Sequence, residues 1–289
     1  MKKIAIATDS NSGITQAEAK EKGVFVLPMP FTIGDDEYFE DINLSQDEFY
    51  EKLKNNEDVK TSQPALGALE DFWDNILKDY DEIVYIPMSS GLSKSCESAM
   101  NFAEEEKFAG KVFVVDNQRI SVTLKGTVFQ AKRMAESGKS GAEIKQILTD
   151  TKFDSSIYIM VDTLKYLKKG GRVTPAGAAL GTLLHIKPVL QIQGGKLDAF
   201  KKVMGVKVAC QAMIDAVKAD LNTRFKDVRQ DMKLCFAHTH NEENARKFVE
   251  EVKRAIPDVE VTYCDPLSLS VSCHIGPGAL AAALYREIL

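Results

Sequence analysis

Short unbroken apolar runs alternate along this chain with longer stretches whose apolar residues recur every three or four positions. Ile4–Thr8, Val24–Met29, Ile83–Met88 and Val112–Asp116 are runs of the first kind. They are brief, rich in β-branched residues and bounded by polar loops, as strands buried on both faces are. Between them the period lengthens. A helix is predicted from about Thr15, and another over Gln46–Asn55, where Ser45 and Glu48 make a capping box. Leu66, Leu69, Phe72, Trp73, Ile76 and Leu77 fall at helical spacing behind Pro64, which suits a first helical position. Further helices are expected from the Ser95 region to about Lys107, from beyond Asn117 to near Gly138, and over Gly141–Thr151. Phe31–Phe39, with Gly34-Asp35-Asp36 in its middle, reads as a hairpin. Strands alternating with helices predict a three-layer parallel sheet. Ligands bind such sheets beyond the carboxyl ends of the strands, where the Thr8, Ser89–Ser95 and Asp116–Asn117 loops bring their hydroxyls.

After Thr151 the pattern changes. Ile157–Val161 is a predicted strand, Leu164–Arg172 a basic loop, and Thr174-Pro175 the start of a small-residue helix over Ala176–Leu184. Ile186–Gln193 and Leu197–Val203 flank Gly194-Gly195, a hairpin signal. A helix (Val206–Leu221), a strand (Lys233–Ala237), a helix (Glu242–Ala255), a strand (Glu260–Tyr263) and a final helix behind Gly278 complete the expectation. The fold class is α/β, with an N-terminal parallel-sheet domain over 1–151 and a C-terminal mixed-sheet domain over 152–289.

Composition narrows the function. A net charge of −5 argues against a general nucleic-acid binder, which carries a basic domain. No run approaches the ~18 apolar residues of a membrane span, and the run after Lys2-Lys3 stops at Asp9, too soon for a secretory signal. The five cysteines are odd in number, scattered and without a Cys-x-x-Cys pair, which suits reduced thiols in the cytoplasm.

The chemistry lies in short polar stretches. Thr61-Ser62-Gln63-Pro64 puts hydroxyls ahead of a helix start, where unsatisfied backbone N–H groups and the helix dipole favour an anion. The same stretch can also be an ordinary cap before a buried helix. Gly276-Pro277-Gly278-Ala279-Leu280-Ala281 imitates a dinucleotide fingerprint, but too little chain follows it for the rest of a βαβ unit. His238 and His240 could share a metal, yet no third ligand has helpful spacing, and a solvated strand end before an Asn241-capped helix accounts for them. Taken singly, His274 reads as a capping or core histidine and Arg172 as a solvated loop charge.

Taken together they read differently. Thr8-Asp9-Ser10, Thr61-Ser62-Gln63-Pro64, Ser89-Ser90-Gly91-Leu92-Ser93, Gly170-Gly171-Arg172, the segment from Leu180 to Pro188, and His274-Ile275-Gly276-Pro277-Gly278 occur in this order. In this ordered set the chain resembles the DegV family over nearly its whole length. The resemblance implies two α/β domains with a long-chain fatty acid, such as palmitate, between and within them. It implies that Thr61 and Ser93 hydrogen-bond the carboxylate, with Ser62, Arg172 and His274 beside it. It also implies a bacterial lipid-binding protein without catalysis or cofactor of its own, serving as acyl-binding subunit to a fatty acid kinase that uses ATP. The residues agree: an anion needs donors, and Ile157–Val161 with Leu180–Ile192 offer apolar lining for a tail.

Two departures from the family pattern bear on partnership. Val203-Met204-Gly205-Val206-Lys207 stands where the family commonly has a Val-Arg-Gly-Arg stretch, although Lys201, Lys202 and Lys207 remain. Lys94 occupies a usual glycine position. The rival reading is an ester hydrolase with Ser93 or Ser90 as nucleophile and His274 as base, for which Asp9 and Asp116 are the candidate orienting carboxylates. A third is a regulator that docks a partner through Lys165–Arg172.

Overall fold

Alternation of side chains along the strands decides which helices cover which face. The structure, a computed structural model, describes residues 2–55, 58–179 and 186–288. β1 (Ile4–Asp9) leads through a 3-10 turn to α1 (Gln16–Lys22), β2 (Phe25–Leu27) and the hairpin of β3 (Phe31–Ile33) and β4 (Asp36–Tyr38). There follow α2 (Gln46–Lys54), β5 (Val59–Thr61), α3 (Leu66–Leu77), β6 (Glu82–Ile86), α4 (Ser95–Phe102), β7 (Val112–Val114), α5 (Ser121–Glu136) and α6 (Gly141–Asp150). The remaining elements are β8 (Ser155–Met160), α7 (Lys165–Gly170), α8 (Pro175–Ala178), β9 (Ile186–Ile192), β10 (Leu197–Met204), α9 (Val206–Asn222), β11 (Met232–His238), α10 (Glu242–Ala255), β12 (Val261–Pro266), α11 (Leu269–Ile275) and β13 (Leu280–Arg286).

Among the described residues these strands form three sheets. The first, in the order β2-β1-β6-β7, is parallel throughout. Ala5, Ala7, Ile83 and Tyr85 face α3 and its Trp73, while Ile6, Val84 and Ile86 face α5 and α6. The second, β10-β9-β8-β13-β11-β12, is mixed, with the β11–β12 pair parallel and its other pairs antiparallel. A small sheet, β4-β3-β5, packs with α2 against α11. Helix α5 touches both large sheets, which is why it is buried over most of its length.

Several expectations change. Pro64 is not the first helical residue: α3 begins at Leu66 behind Ala65, and Thr61 ends β5 opposite Phe31. Val59 and Thr61 complete a β ladder, and Pro64, lacking an N–H, falls in the connection. α4 ends at Phe102, because the chain turns there to bury Phe108 edge-on against Trp73. The predicted basic loop is α7, which seats Leu167 in the core and stops at Gly171, φ +66°. Thr174 does cap the next helix, by accepting from the Gly177 N–H; Leu180–Leu184 of that prediction lie outside the described residues. The final helix is instead strand β13. Its alanines favour helix, but Leu280–Tyr285 are buried on both faces between α5 and α9, and tertiary packing overrides propensity. The turn into it, with Gly276 and Gly278 at positive φ, therefore opens no nucleotide-binding helix.

Candidate functional site

The sequence-predicted loops meet at the carboxyl edge of the parallel sheet. Ser90 Oγ donates to Asp116 Oδ2 at 2.6 Å, tying the loop after β6 to the loop after β7. Thr8 Oγ1 donates to the Ile86 carbonyl at 2.7 Å, so this hydroxyl closes the sheet end. Asp9 is fully buried and accepts from the Met88 and Asn11 N–H groups, both at 3.0 Å; burial lifts its pKa to about 6. The Ser89 hydroxyl reaches across to the Gly195 carbonyl at the hairpin tip, 2.9 Å away. A Cβ on Gly91 would lie 2.1 Å from that carbonyl oxygen, so only glycine fits this close backbone approach.

Beyond this edge lies a cavity of about 450 Å³, within the roughly 300–1,000 Å³ of small-molecule sites. Its walls come from the mixed sheet, from loops at the carboxyl edge of the parallel sheet and from the elements between them. Ile157 and Ile159 of β8, Ile192 of β9, Ala237 of β11, and Ala281 and Ala283 of β13 make the apolar interior. The start of α5 (Ile120, Ser121, Val122) and one side of α11 (Ser270, Val271, His274, Ile275) flank it. Ser62, Gln63, Lys94 and Arg172 are exposed and mark its open rim.

All five predicted residues, Thr61, Ser62, Ser93, Arg172 and His274, line this one cavity. Thr61 is presented by β5, and its Oγ1 lies 2.8 Å from His274 Nε2. His274 sits on α11, a helix that sequence reasoning missed. Its position is over-determined: the Leu269 N–H donates to Glu40 Oε2 at 2.8 Å, Tyr50 OH to Ser272 Oγ at 3.0 Å, and Gln46 Nε2 to the Leu267 carbonyl at 3.1 Å. Burial, then the positive charge of Arg172, holds the His274 pKa down to about 4, so its ring is neutral at pH 7. Gly170 packs against that ring: a Cβ there would lie 2.0 Å from Nδ1. Arg172 donates to the Gly170 carbonyl at 2.6 Å from an exposed position. Ser93 Oγ lies 2.9 Å from Ser95 Oγ, and Lys94 turns to Glu97 at 2.9 Å.

The hydrogen bonds do not assemble a hydrolase. Ser93 bonds Ser95, Ser90 bonds Asp116, His274 bonds Thr61, and Asp9 bonds backbone N–H groups. An activated serine needs the base within reach and the base oriented by a third group.

Elsewhere, His238 is buried at the end of β11, where its Nδ1 accepts from the Asn241 N–H at 3.4 Å, rather than solvated as expected. Asn241 heads α10 without a side-chain cap, its amide donating to the Gly278 carbonyl. No group of three or more His, Cys, Asp or Glu side chains that could hold a metal ion occurs among the described residues. Of the expected tail lining, Leu180–His185 lie outside the described residues. Sequence reasoning also missed Asn11, Ser121 and Ser270 in the cavity wall. The polar run behind β1 signalled a site at Asn11, but no local pattern reveals that Ser121 and Ser270 face it.

A family model described as "Uncharacterised protein, DegV family" matches residues 3–287. Protein DegV of Bacillus subtilis is 31% identical over 283 residues, 96% of this chain and 97% of that protein. The solved structure of a DegV family protein from Thermus thermophilus, described for its fatty acid binding, superposes with a TM-score of 0.88 at 28% identity, covering 98% of this chain and 99% of that one. The crystal structure of DegV from Bacillus subtilis, described as a fatty acid binding protein, gives a TM-score of 0.85 at 27% identity, covering 99% of this chain and all of the other.

Proposed function

The chain belongs to the DegV family, and on that premise we propose that it binds a long-chain fatty acid, with the carboxylate at the polar end of the cavity and the tail in its apolar interior. One observation carries the reading. The apolar cavity is walled by the mixed sheet and by loops at the edge of the parallel sheet, and it gathers the Thr61, Ser62 and Ser93 hydroxyls, a neutral histidine and an arginine by its open rim. Thr61 and Ser93 donate to the carboxylate, with Ser62, His274 and Arg172 beside it. Each buried methylene contributes roughly 0.8 kcal/mol before costs, so a long tail holds tightly with few polar contacts. Relatives described as fatty acid binding share the fold across nearly the whole chain.

In this reading the chain divides near Thr151 into an N-terminal and a C-terminal α/β domain. The protein is not itself an enzyme; it presents its ligand for lipid transport or metabolism, or to a fatty acid kinase. Its place is the cytoplasm, which suits five unpaired cysteines. No described helix is long and apolar enough to cross a membrane. The substitution of Met204 and Val206 for charged residues puts two exposed apolar side chains beside Lys201, Lys202 and Lys207, which alters partner choice and not the acyl site.

The test is direct binding of palmitate and oleate to delipidated protein, with Thr61→Ala combined with Ser93→Ala. The reading expects binding by the unaltered chain and marked weakening in the folded double variant. Undiminished occupancy in that variant assigns the hydroxyls to capping alone, and turnover of acyl esters would favour the hydrolase.

A further inference from the structure

Asn11 and Ser121 line the cavity at 2% and 4% exposure, and among the described residues neither Asn11 Nδ2 nor Ser121 Oγ has a hydrogen-bond partner. Buried polar atoms are nearly always paired, so two orphans facing one cavity point to a ligand oxygen. Asn11 is fixed in place: its N–H donates to Asp9 Oδ1 at 3.0 Å, and its Oδ1 accepts from Ser270 Oγ at 2.6 Å. Ser121 opens α5, a 16-residue helix whose N-terminus has no side-chain cap. Ile120, Ser121 and Val122 all line the cavity, so first-turn N–H groups and the positive end of the helix dipole lie beside these orphans.

The position separates this spot from the carboxylate end. Ser270, bonded to Asn11, stands four residues before His274 on α11, about one turn away. Arg172 lies at the exposed rim, and the buried carboxylate of Asp9 adjoins Asn11. A second anion is disfavoured beside Asp9. A neutral oxygen is not, and a hydroxyl can both accept from Asn11 or Ser121 and donate to Ser121.

We propose that Asn11, Ser121 and the start of α5 form a subsite for a hydroxyl carried on the acyl chain, so that the protein prefers hydroxylated long-chain fatty acids to plain ones. This rests on the fatty-acid reading above. It assigns the ligand class by a feature the carboxylate contacts do not use.

The test is competition binding on the delipidated full chain with stearic acid and its 3-, 10- and 12-hydroxy derivatives. At least one hydroxy isomer is expected to bind about tenfold tighter than stearic acid, the factor of one net hydrogen bond. Ser121→Ala, and separately Asn11→Ala, should bring the isomers level with stearic acid while stearic acid still binds. Should Asn11→Ala not fold, Ser121→Ala decides by itself, since it removes only a hydroxyl. Equal affinity for all four acids, or a preference that persists without the Ser121 hydroxyl, overturns the subsite and leaves fatty-acid binding standing. Failure to bind any of the four overturns both.

Discussion

Replacing Gly170 by alanine sets two physical effects against each other. Gly170 closes α7, where alanine is favoured over glycine by about 1 kcal/mol. By propensity alone the variant is more stable. The added methyl, however, would lie 2.0 Å from His274 Nδ1 and 2.7 Å from Cε1. The ring cannot stay there and keep its 2.8 Å contact with Thr61 Oγ1. Overpacking of this kind costs about 1–3 kcal/mol, and the lost hydrogen bond about 1 kcal/mol more. Subtracting the helix gain leaves a net destabilisation of roughly 1–3 kcal/mol, with weaker acyl binding because His274 has left its place. Urea unfolding and palmitate binding measure both. Gly171→Ala is the control: it stands at φ +66° with nothing within 4 Å of an added Cβ, so it costs about 1–2 kcal/mol of left-handed strain and leaves affinity alone. A Gly170→Ala variant that is more stable, with unchanged affinity, refutes the packing of His274 against α7.

Thr61→Ala and Ser93→Ala, measured singly, should each weaken acyl binding by about 1.5–3 kcal/mol, a hydrogen bond to a charged acceptor, with Thr61→Ala also giving up about 1 kcal/mol of stability with its His274 contact; equal affinities in titrations would contradict this. His274 is held near 4 in the folded chain against about 6.5 unfolded. The unfolded state therefore takes up its proton first as pH falls, and the stability this group leaves intact above about pH 6.5 is lost towards pH 4. Denaturation of the unaltered protein and of His274→Gln should show the gap between them shifting by about 2 kcal/mol against the unaltered protein over that window, and a pH-independent gap would count against a buried neutral ring. Met204→Arg with Val206→Arg should improve coupling to a fatty acid kinase and raise its salt sensitivity, since rim charges govern encounter, with palmitate affinity unchanged; efficient acyl phosphate formation by the unaltered protein would remove the reason for the change.

Much of this architecture was legible because buried parallel strands announce themselves as short apolar runs. The hairpin at Gly194-Gly195 and the capping box at Ser45 carry their own local chemistry. The misreadings share one cause. Strand β13 is written in helix-forming alanines because a helix packs on each face, and nothing in Ala279–Ala283 itself reports those neighbours. Helix α11 escaped notice because its caps are distant: Glu40 and Gln46 hold its start from more than two hundred residues away. Thr61 and His274 could be named from short motifs, but their 2.8 Å contact joins β5 to α11 across the chain. Asn11 and Ser121 gained meaning only from the cavity they share.

The central claim is that the cavity holds an acyl chain, and lipid extraction of the purified protein followed by mass spectrometry tests it most directly. A deep apolar cavity with a carboxylate-binding end should retain fatty acid from the cells in which it is made, in near-stoichiometric amount, and release it only on denaturation. Protein that emerges free of lipid, and that then takes up neither palmitate nor oleate, would contradict the account.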